Sequence, residues 1–178
     1  MHVGVKKMAT AGLLVAFSVV MMVLSSVIES SSLFFIAAAS FCVGVSVREW
    51  GLRMGFAFLI ADVLLNFFVT PSKLYCFTLA GMGLYIWISE WLWNRIAESE
   101  TIKQRRALLW IGKYLVFNLM YIPTLFLAPQ LLFTGKMNGL AAIILLLCGQ
   151  GVLFVYDSAY RYFQAQIWGR LRGRLLQQ

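Results

Sequence analysis

The sequence predicts an all-α integral membrane protein: a bundle of six membrane-spanning helices with both termini in the cytoplasm and a C-terminal amphipathic helix on the inner membrane surface. Three observations predict it. First, 61% of the 178 residues are hydrophobic and only 12% are charged, against roughly 25% charged in a soluble domain. That leaves too few polar side chains to cover a water-soluble surface. Second, six apolar runs follow one another, most of them close to the roughly 20 residues a helix needs to cross the hydrocarbon core. Third, the charged segments between the runs alternate in sign bias. Lys6, Lys7, Arg48, Arg53, Arg95, Lys103, Arg105, Arg106, Lys113, Arg161, Arg170, Arg172 and Arg174 fall on one side, and only Lys73 and Lys136 on the other. Basic residues concentrate on the cytoplasmic side of membrane proteins, so this split orients the chain and supports the even number of spans. It also accounts for the net charge of +8 without a nucleic-acid partner. Trp50, Trp91, Trp93, Trp110 and Trp168 lie near the same ends, where an indole suits the headgroup layer, with Trp87 about a turn deeper.

The spans are expected at residues 8–27, 33–47, 52–69, 74–93, 107–127 and 139–160, followed by an interfacial tail at 161–178, all in a single transmembrane domain. The first run, after Lys6 and Lys7, is longer than the 7–15 residues of a signal h-region and reads as an uncleaved span. It places Gly12 and Ala16 four apart, a small-residue face that another helix backbone can approach closely. That partner is either a helix of the same bundle or a separate membrane subunit. The span ends outside at Glu29. The second run is short and rich in Ala37, Ala38, Ala39, Ser40 and Gly44. A short span fits if protein surrounds it or the bilayer thins around it, and burial is expected. Gly51 marks a tight turn after Arg48 and Glu49.

The third run carries the residue that stands out most, Asp62, with Asn66 one turn later on the same face. A carboxylate near the bilayer midplane costs several kcal/mol unless it is paired, protonated or facing water. It is either a structural hydrogen-bonding group or part of a polar ligand or proton-coupled site. Pro71 ends this run, because a residue preceding proline avoids the helical region. The fourth run starts at Leu74 and ends near Glu90, which can reach the basic loops. The loop from Asn94 to Arg106 suits a short solvated helix. The fifth contains Asn118 and Pro123, where a kink is expected, and ends before Pro129. The outer segment from Ala128 to Asn138 is apolar enough at Gln130–Phe133 to cover the bundle. The sixth holds Gln150 near its middle and Asp157 near its cytoplasmic end, where Arg161 is the expected partner. In the tail, Phe163, Ile167, Leu171 and Leu175 recur every four residues, the pattern of a helix lying on the membrane.

Chemistry of several kinds is missing from the sequence. Cys42, Cys76 and Cys148 lie in or beside apolar runs with no CxxC spacing, and read as free thiols. The one histidine is His2. There is no metal-ligand cluster, no nucleotide-binding motif and no nucleophile–base pairing by spacing. No catalytic residue, metal or cofactor is expected, and the chain reads as a non-enzyme.

Six spans, cytoplasmic termini, a basic N-terminus and the Gly12-Leu13-Leu14-Val15-Ala16 segment together resemble the substrate-binding S-component of energy-coupling factor (ECF) transporters. In that family the first helix carries an AxxxA-type docking motif; here glycine replaces the first alanine. The resemblance implies a cell-membrane protein that captures a vitamin or related micronutrient from outside. Its partners would be a membrane scaffold subunit and two cytoplasmic ATPases, whose ATP hydrolysis topples the S-component to release ligand inward. The ligand site would draw on Glu29, Asn66, Lys73, Tyr75, Thr78, Asn118, Tyr121 and Gln130. Gly12 and Ala16 would dock to the scaffold, with Arg48 and Arg53 contacting it from the cytoplasmic turns. Two other readings of the residues stand beside this one. One is a non-transporting membrane scaffold or morphogenesis protein, MreD-like in its several spans within a small chain. The other is a stand-alone proton-coupled carrier that uses Asp62.

Overall fold

The structure, a computed structural model, describes residues 2–97, 102–127 and 139–170. Six α-helices are found among them: α1 (His2–Val27), α2 (Ser32–Trp50), α3 (Leu52–Val69), α4 (Lys73–Ala97), α5 (Ile102–Leu127) and α6 (Gly139–Tyr162). A short 3-10 turn, Glu29–Ser31, joins α1 to α2, and a π-helical segment, Phe163–Trp168, follows α6. The described residues include no strand. Three of these helices are long and apolar enough to cross a membrane: Lys7–Val27, Ser32–Trp50 and Leu52–Val69. At 25, 26 and 24 residues, α4, α5 and α6 have comparable length, with a more polar composition in α4 and α5. The chain packs as two compact units, residues 1–91 with 163–178 and residues 92–162.

In the first unit α2 is the central element. Every residue from Ala39 to Val47 is buried, so this helix is enclosed by protein, as the small residues along it suggest. Its apolar run is 15 residues by the sequence, but the helix itself extends to 19 because Ser32 and Arg48–Trp50 are helical too. At about 1.5 Å per residue that is close to a full hydrocarbon thickness. The turn after it is forced by Gly51, which sits at φ 87° and ψ 169°, a region essentially confined to glycine. The reversal brings α3 back so tightly that a Cβ on Gly55 would stand 2.3 Å from Val47 Cγ2 and 2.9 Å from Val47 Cα. At the other end, Thr70 has φ −84° and ψ 130°, the extended conformation that Pro71 imposes on the residue before it, and α3 stops at Val69.

The remaining elements of this unit close around α2. Leu14 of α1 joins Cys42, Val43, Val45, Val47, Phe58, Leu59 and Trp168 in one core cluster. Met22, Ile36, Ala39, Cys76 and Leu79 form a second, with Tyr75 and Met82 against it. On α4, Gly83 leaves room for Leu59 and Val43, and the Trp87 indole donates to Leu52 O (2.9 Å). These contacts fix helix directions: α2 and α3 run antiparallel, while α1 runs parallel to α3 and α4 parallel to α2.

The C-terminal segment differs from the expected surface helix. Phe163 packs on Phe41 (ring centroids 5.3 Å apart), Gln164 and Trp168 are buried, and Ile167 is exposed. The reason is the π-helical geometry, in which bonding runs from i to i+5, so Phe163 lines up with Trp168 rather than with Ile167. Trp168 is therefore not part of an interfacial belt: its indole is 6% exposed and donates to Glu49 Oε1 (3.0 Å). Leu171 and Leu175 lie outside the described residues.

In the second unit α5 and α6 run antiparallel. The Lys113 ammonium pairs with Asp157 Oδ1, and Arg161 Nε lies 3.1 Å from Asp157 Oδ2. Arg161 thus takes its expected role, and Lys113 is a second partner from the facing helix. Trp110 stacks on Phe154 (5.7 Å, 18°) and receives the Arg161 guanidinium over its ring. Gly112 makes way for Leu92. α5 continues as helix through Pro123 to Leu127, while Pro129 and the outer segment 128–138 lie outside the described residues. The expected short helix between α4 and α5 is absorbed at both ends, since α4 runs to Ala97 and α5 begins at Ile102.

Candidate functional site

The polar site of the first unit forms where α1 and α3 lie side by side. Apolar neighbours bury the facing sides of both helices, and each carries a polar residue on that face. Asp62 is 0% exposed. Ser18 Oγ of α1 donates to its Oδ2 (2.8 Å). Asn66 Nδ2, one turn along α3, donates both to Oδ1 (3.0 Å) and to the Asp62 carbonyl (2.9 Å). Both carboxylate oxygens therefore accept from neutral donors. The ion pairs of Arg48 with Glu90, and of Lys113 and Arg161 with Asp157, do not reach Asp62. One turn further out, Thr70 is also buried. Asp62, Asn66 and Thr70 thus form a polar column two helical turns long, about 12 Å, from mid-helix to the α3 C-terminus. Ser25 of α1 is buried as well, its hydroxyl donating to Met22 O (2.7 Å).

Lys73 closes the end of the column at the α3 C-terminus. Its ammonium donates to Phe67 O and approaches Thr70 O (3.4 Å). A cation belongs at a helix C-terminus, where unpaired carbonyls concentrate negative potential. It also lies over the Phe67 ring at 4.5 Å. The ammonium is engaged with the end of its neighbouring helix, which identifies Lys73 as a cap.

The other expected site residues divide between the two units. Tyr75 packs against the second core cluster. Thr78 turns its hydroxyl back to Leu74 O (3.2 Å). Glu29 falls in the 3-10 turn, its side chain outside the described residues, as is all of Gln130. In the second unit, Gln150 Nε2 donates to Asn118 Oδ1 (2.8 Å), while Asn118 Nδ2 donates to Tyr114 O (2.9 Å). The Tyr121 hydroxyl donates to Leu145 O (2.8 Å), and Gly149 is what admits its ring, since a Cβ there would stand 2.6 Å from Tyr121 Cε1. Asn118 also joins Leu115, Leu119 and Ile122 along an open groove on α5.

Of the expected docking positions, Gly12 and Ala16 are exposed on α1, and nothing lies within 4 Å of where a Gly12 Cβ would be. Arg53 is exposed. Arg48 is committed to Glu90, with Nη2 and Nε at 2.7 and 2.9 Å from Oε1.

Sequence reasoning passed over Ser18 and Thr70. Ser18 carried a usable signal, a single hydroxyl amid the apolar run Leu13–Leu24. Thr70 had none, because a threonine beside proline reads as a loop residue. The described residues contain no group of His, Cys, Asp and Glu that could hold a metal. No family model, curated protein or solved structure matches the chain.

Proposed function

We propose that this chain is the membrane-embedded, substrate-binding subunit of an ECF-type micronutrient transporter, inserted in the cell membrane with six spans and both termini in the cytoplasm. The observation that carries the reading is the outward face of α1. Gly12 and Ala16 are exposed although α1 contributes Leu14, Ser18 and Met22 to the buried interior of its unit. Small residues on an exposed apolar helix leave its backbone open to close approach by another helix, as a subunit that docks in the membrane requires. The split of thirteen cytoplasmic basic residues against two supports the orientation. Reversal of helix direction from α2 to α3 and from α5 to α6 is what successive spans require. A small ligand would be held from the outer side by the positions named above, without a cofactor, and passed inward with the scaffold and its two ATPases.

A second reading is favoured by one specific observation. Asp62 is closed off by Ser18 and Asn66, as in a helix-packing residue of a non-transporting scaffold protein. A single experiment separates the two. The full chain, tagged at the C-terminus and extracted in mild detergent from its native membrane, is expected to copurify with a membrane scaffold and two ATPases, identified by mass spectrometry. Ala16→Trp is expected to abolish that association. Recovery of cell-wall or division proteins without an ATPase would replace the transporter reading with the scaffold one.

A further inference from the structure

The ion cluster that joins α5 to α6 holds one more positive charge than it neutralises. The Lys113 ammonium pairs with Asp157 Oδ1, and Arg161 Nε lies 3.1 Å from Asp157 Oδ2. Two cations share one carboxylate, so the three groups sum to a single positive charge. That sum does not depend on where a proton sits between Lys113 and Asp157. Moving it from one to the other leaves the total unchanged, and a guanidinium stays charged in proteins. Among the described residues of this unit Asp157 is also the only acid. Both cations have donors left over. Among the described residues, Asp157 is the one polar partner of Lys113. Arg161 uses Nε alone, at Asp157 Oδ2 and at the Asp157 main-chain oxygen (3.4 Å), which leaves Nη1 and Nη2 unused. The Asp157 side chain is 1% exposed and that of Arg161 is 52% exposed, so the carboxylate lies behind and the guanidinium in front. The guanidinium stands over the Trp110 ring, 5.4 Å from its centroid. Trp110 stacks on Phe154, which is exposed, as is Ile111 beside Trp110.

We infer that Lys113, Arg161 and Trp110 form a binding site for the headgroup phosphate of an anionic phospholipid, whose acyl chains lie against Phe154 and Ile111. The charge matches: a phosphodiester carries one negative charge, which cancels the excess of the cluster. A zwitterionic phospholipid brings its own cation to the same place and gains less. The geometry matches as well. The unused Nη1 and Nη2 of Arg161 form the planar fork that pairs with two phosphate oxygens at once, and Lys113 adds a point charge across the shared carboxylate. Asp157 and the Trp110 ring already hold the guanidinium, so little freedom is lost when a phosphate arrives. A phospholipid also presents apolar chains beside its phosphate, and exposed apolar residues adjoin the cations here. An indole at such a boundary suits the headgroup layer. The inference rests on α5 and α6 lying in the membrane, as proposed above, and not on the transport of a micronutrient.

Phosphatidylglycerol is the probe. The purified full chain in an uncharged detergent is unfolded thermally at constant ionic strength, with phosphatidylglycerol or phosphatidylcholine added to the micelles. A ligand that binds only the folded state raises the midpoint with concentration, so a saturating rise is expected with phosphatidylglycerol and not with phosphatidylcholine. Arg161→Gln removes the fork and its charge, and should raise the half-saturating phosphatidylglycerol fraction about tenfold or more. Arg170→Gln removes one charge from an exposed arginine of the other unit and should leave the response as it is. Equal midpoints in the two lipids would overturn the proposal. So would an unchanged response in Arg161→Gln, or an equal loss in both variants, which would show attraction to net charge alone. Inorganic phosphate and glycerol phosphate, each added without lipid, should not reproduce the rise; if they do, the cluster takes a free phosphate and the lipid assignment falls. Should Arg161→Gln fail to fold, Arg161→Lys keeps the charge without the fork and is expected to weaken the response. None of these readouts involves a scaffold or an ATPase, so a failed copurification and a failed lipid response are told apart.

Discussion

Asp62 shows how one buried residue constrains its neighbours. Its oxygens are satisfied by a hydroxyl from α1 and an amide from its own helix, so each donor is necessary in proportion to the burial around it. Ser18→Ala leaves Asp62 Oδ2 without that donor, and a buried acceptor so treated costs about 1–3 kcal/mol. The expected outcome is a lower unfolding midpoint in detergent, with Ser18→Thr retaining more of the stability because it keeps the hydroxyl. Gly51 and Gly55 are constrained by backbone instead. Gly51→Ala must place a side chain at φ 87°, which costs on the order of 1–3 kcal/mol. Gly55→Ala drives a methyl group into Val47, side chain and backbone together, so it should destabilise by a similar or larger amount. A smaller loss at Gly55 than at an exposed glycine such as Gly12 would show that α2 and α3 do not approach as closely as described.

At the scale of elements, the two units are held by different means. In the first, α2 is enclosed by apolar contacts, and polar groups act at its C-terminal end: Arg48 on Glu90 and Glu49 under the Trp168 indole. Trp168→Ala removes both a buried ring and that hydrogen bond, so the Phe163–Trp168 segment should lose its hold on α2. Hydrogen exchange across residues 163–168 should accelerate while exchange within α5 remains unchanged. In the second unit, α5 and α6 are joined through Asp157, which is 1% exposed at its side chain beside Lys113 and Arg161. Removing one partner of a buried pair costs about 3–5 kcal/mol, whereas replacing both by apolar residues is often close to neutral. Lys113→Met should therefore destabilise strongly, although Arg161 remains and softens the loss. Lys113→Met combined with Asp157→Leu should recover most of it. A double variant no more stable than the single one would show that the pair does more than join the two helices.

For the whole molecule the testable property is topology. Arg53 and Ser72 bracket α3, one at each end, and α3 is long and apolar enough to span. With the basic ends inside, a cysteine at Ser72 should react with an impermeant maleimide added to intact cells. A cysteine at Arg53 should react only after the membrane is opened. The native thiols supply the background: Cys42 and Cys76 are buried and Cys148 is exposed, so the test is made with Cys148 replaced by serine. Labelling in the opposite order would invert the orientation and, with it, the side from which any ligand enters.

The sequence by itself determined the helical class, the apolar character of the helices, and the breaks at Gly51 and before Pro71, while several other helix ends lie up to five or six residues from where the apolar runs put them. The features it determined depend on local properties that a linear chain records directly: apolar runs, a glycine at a positive φ, a proline that keeps its predecessor extended. It also singled out Asp62, because a carboxylate in an apolar run is costly wherever its neighbours come from, and it paired Asp157 with Arg161, which lie one turn apart on one helix. Which groups answer those residues from other helices was decided only by tertiary structure. Ser18 is 44 positions from Asp62, Lys113 is 44 from Asp157, and Glu49 is 119 from Trp168. No periodicity encodes such separations, since they arise when packing sets one helix against another. The same cause set the Lys73 ammonium at the C-terminus of α3 and turned Trp168 from an interfacial anchor into a core residue: composition indicates that a side chain can bind or anchor, but only the folded neighbourhood fixes what it meets.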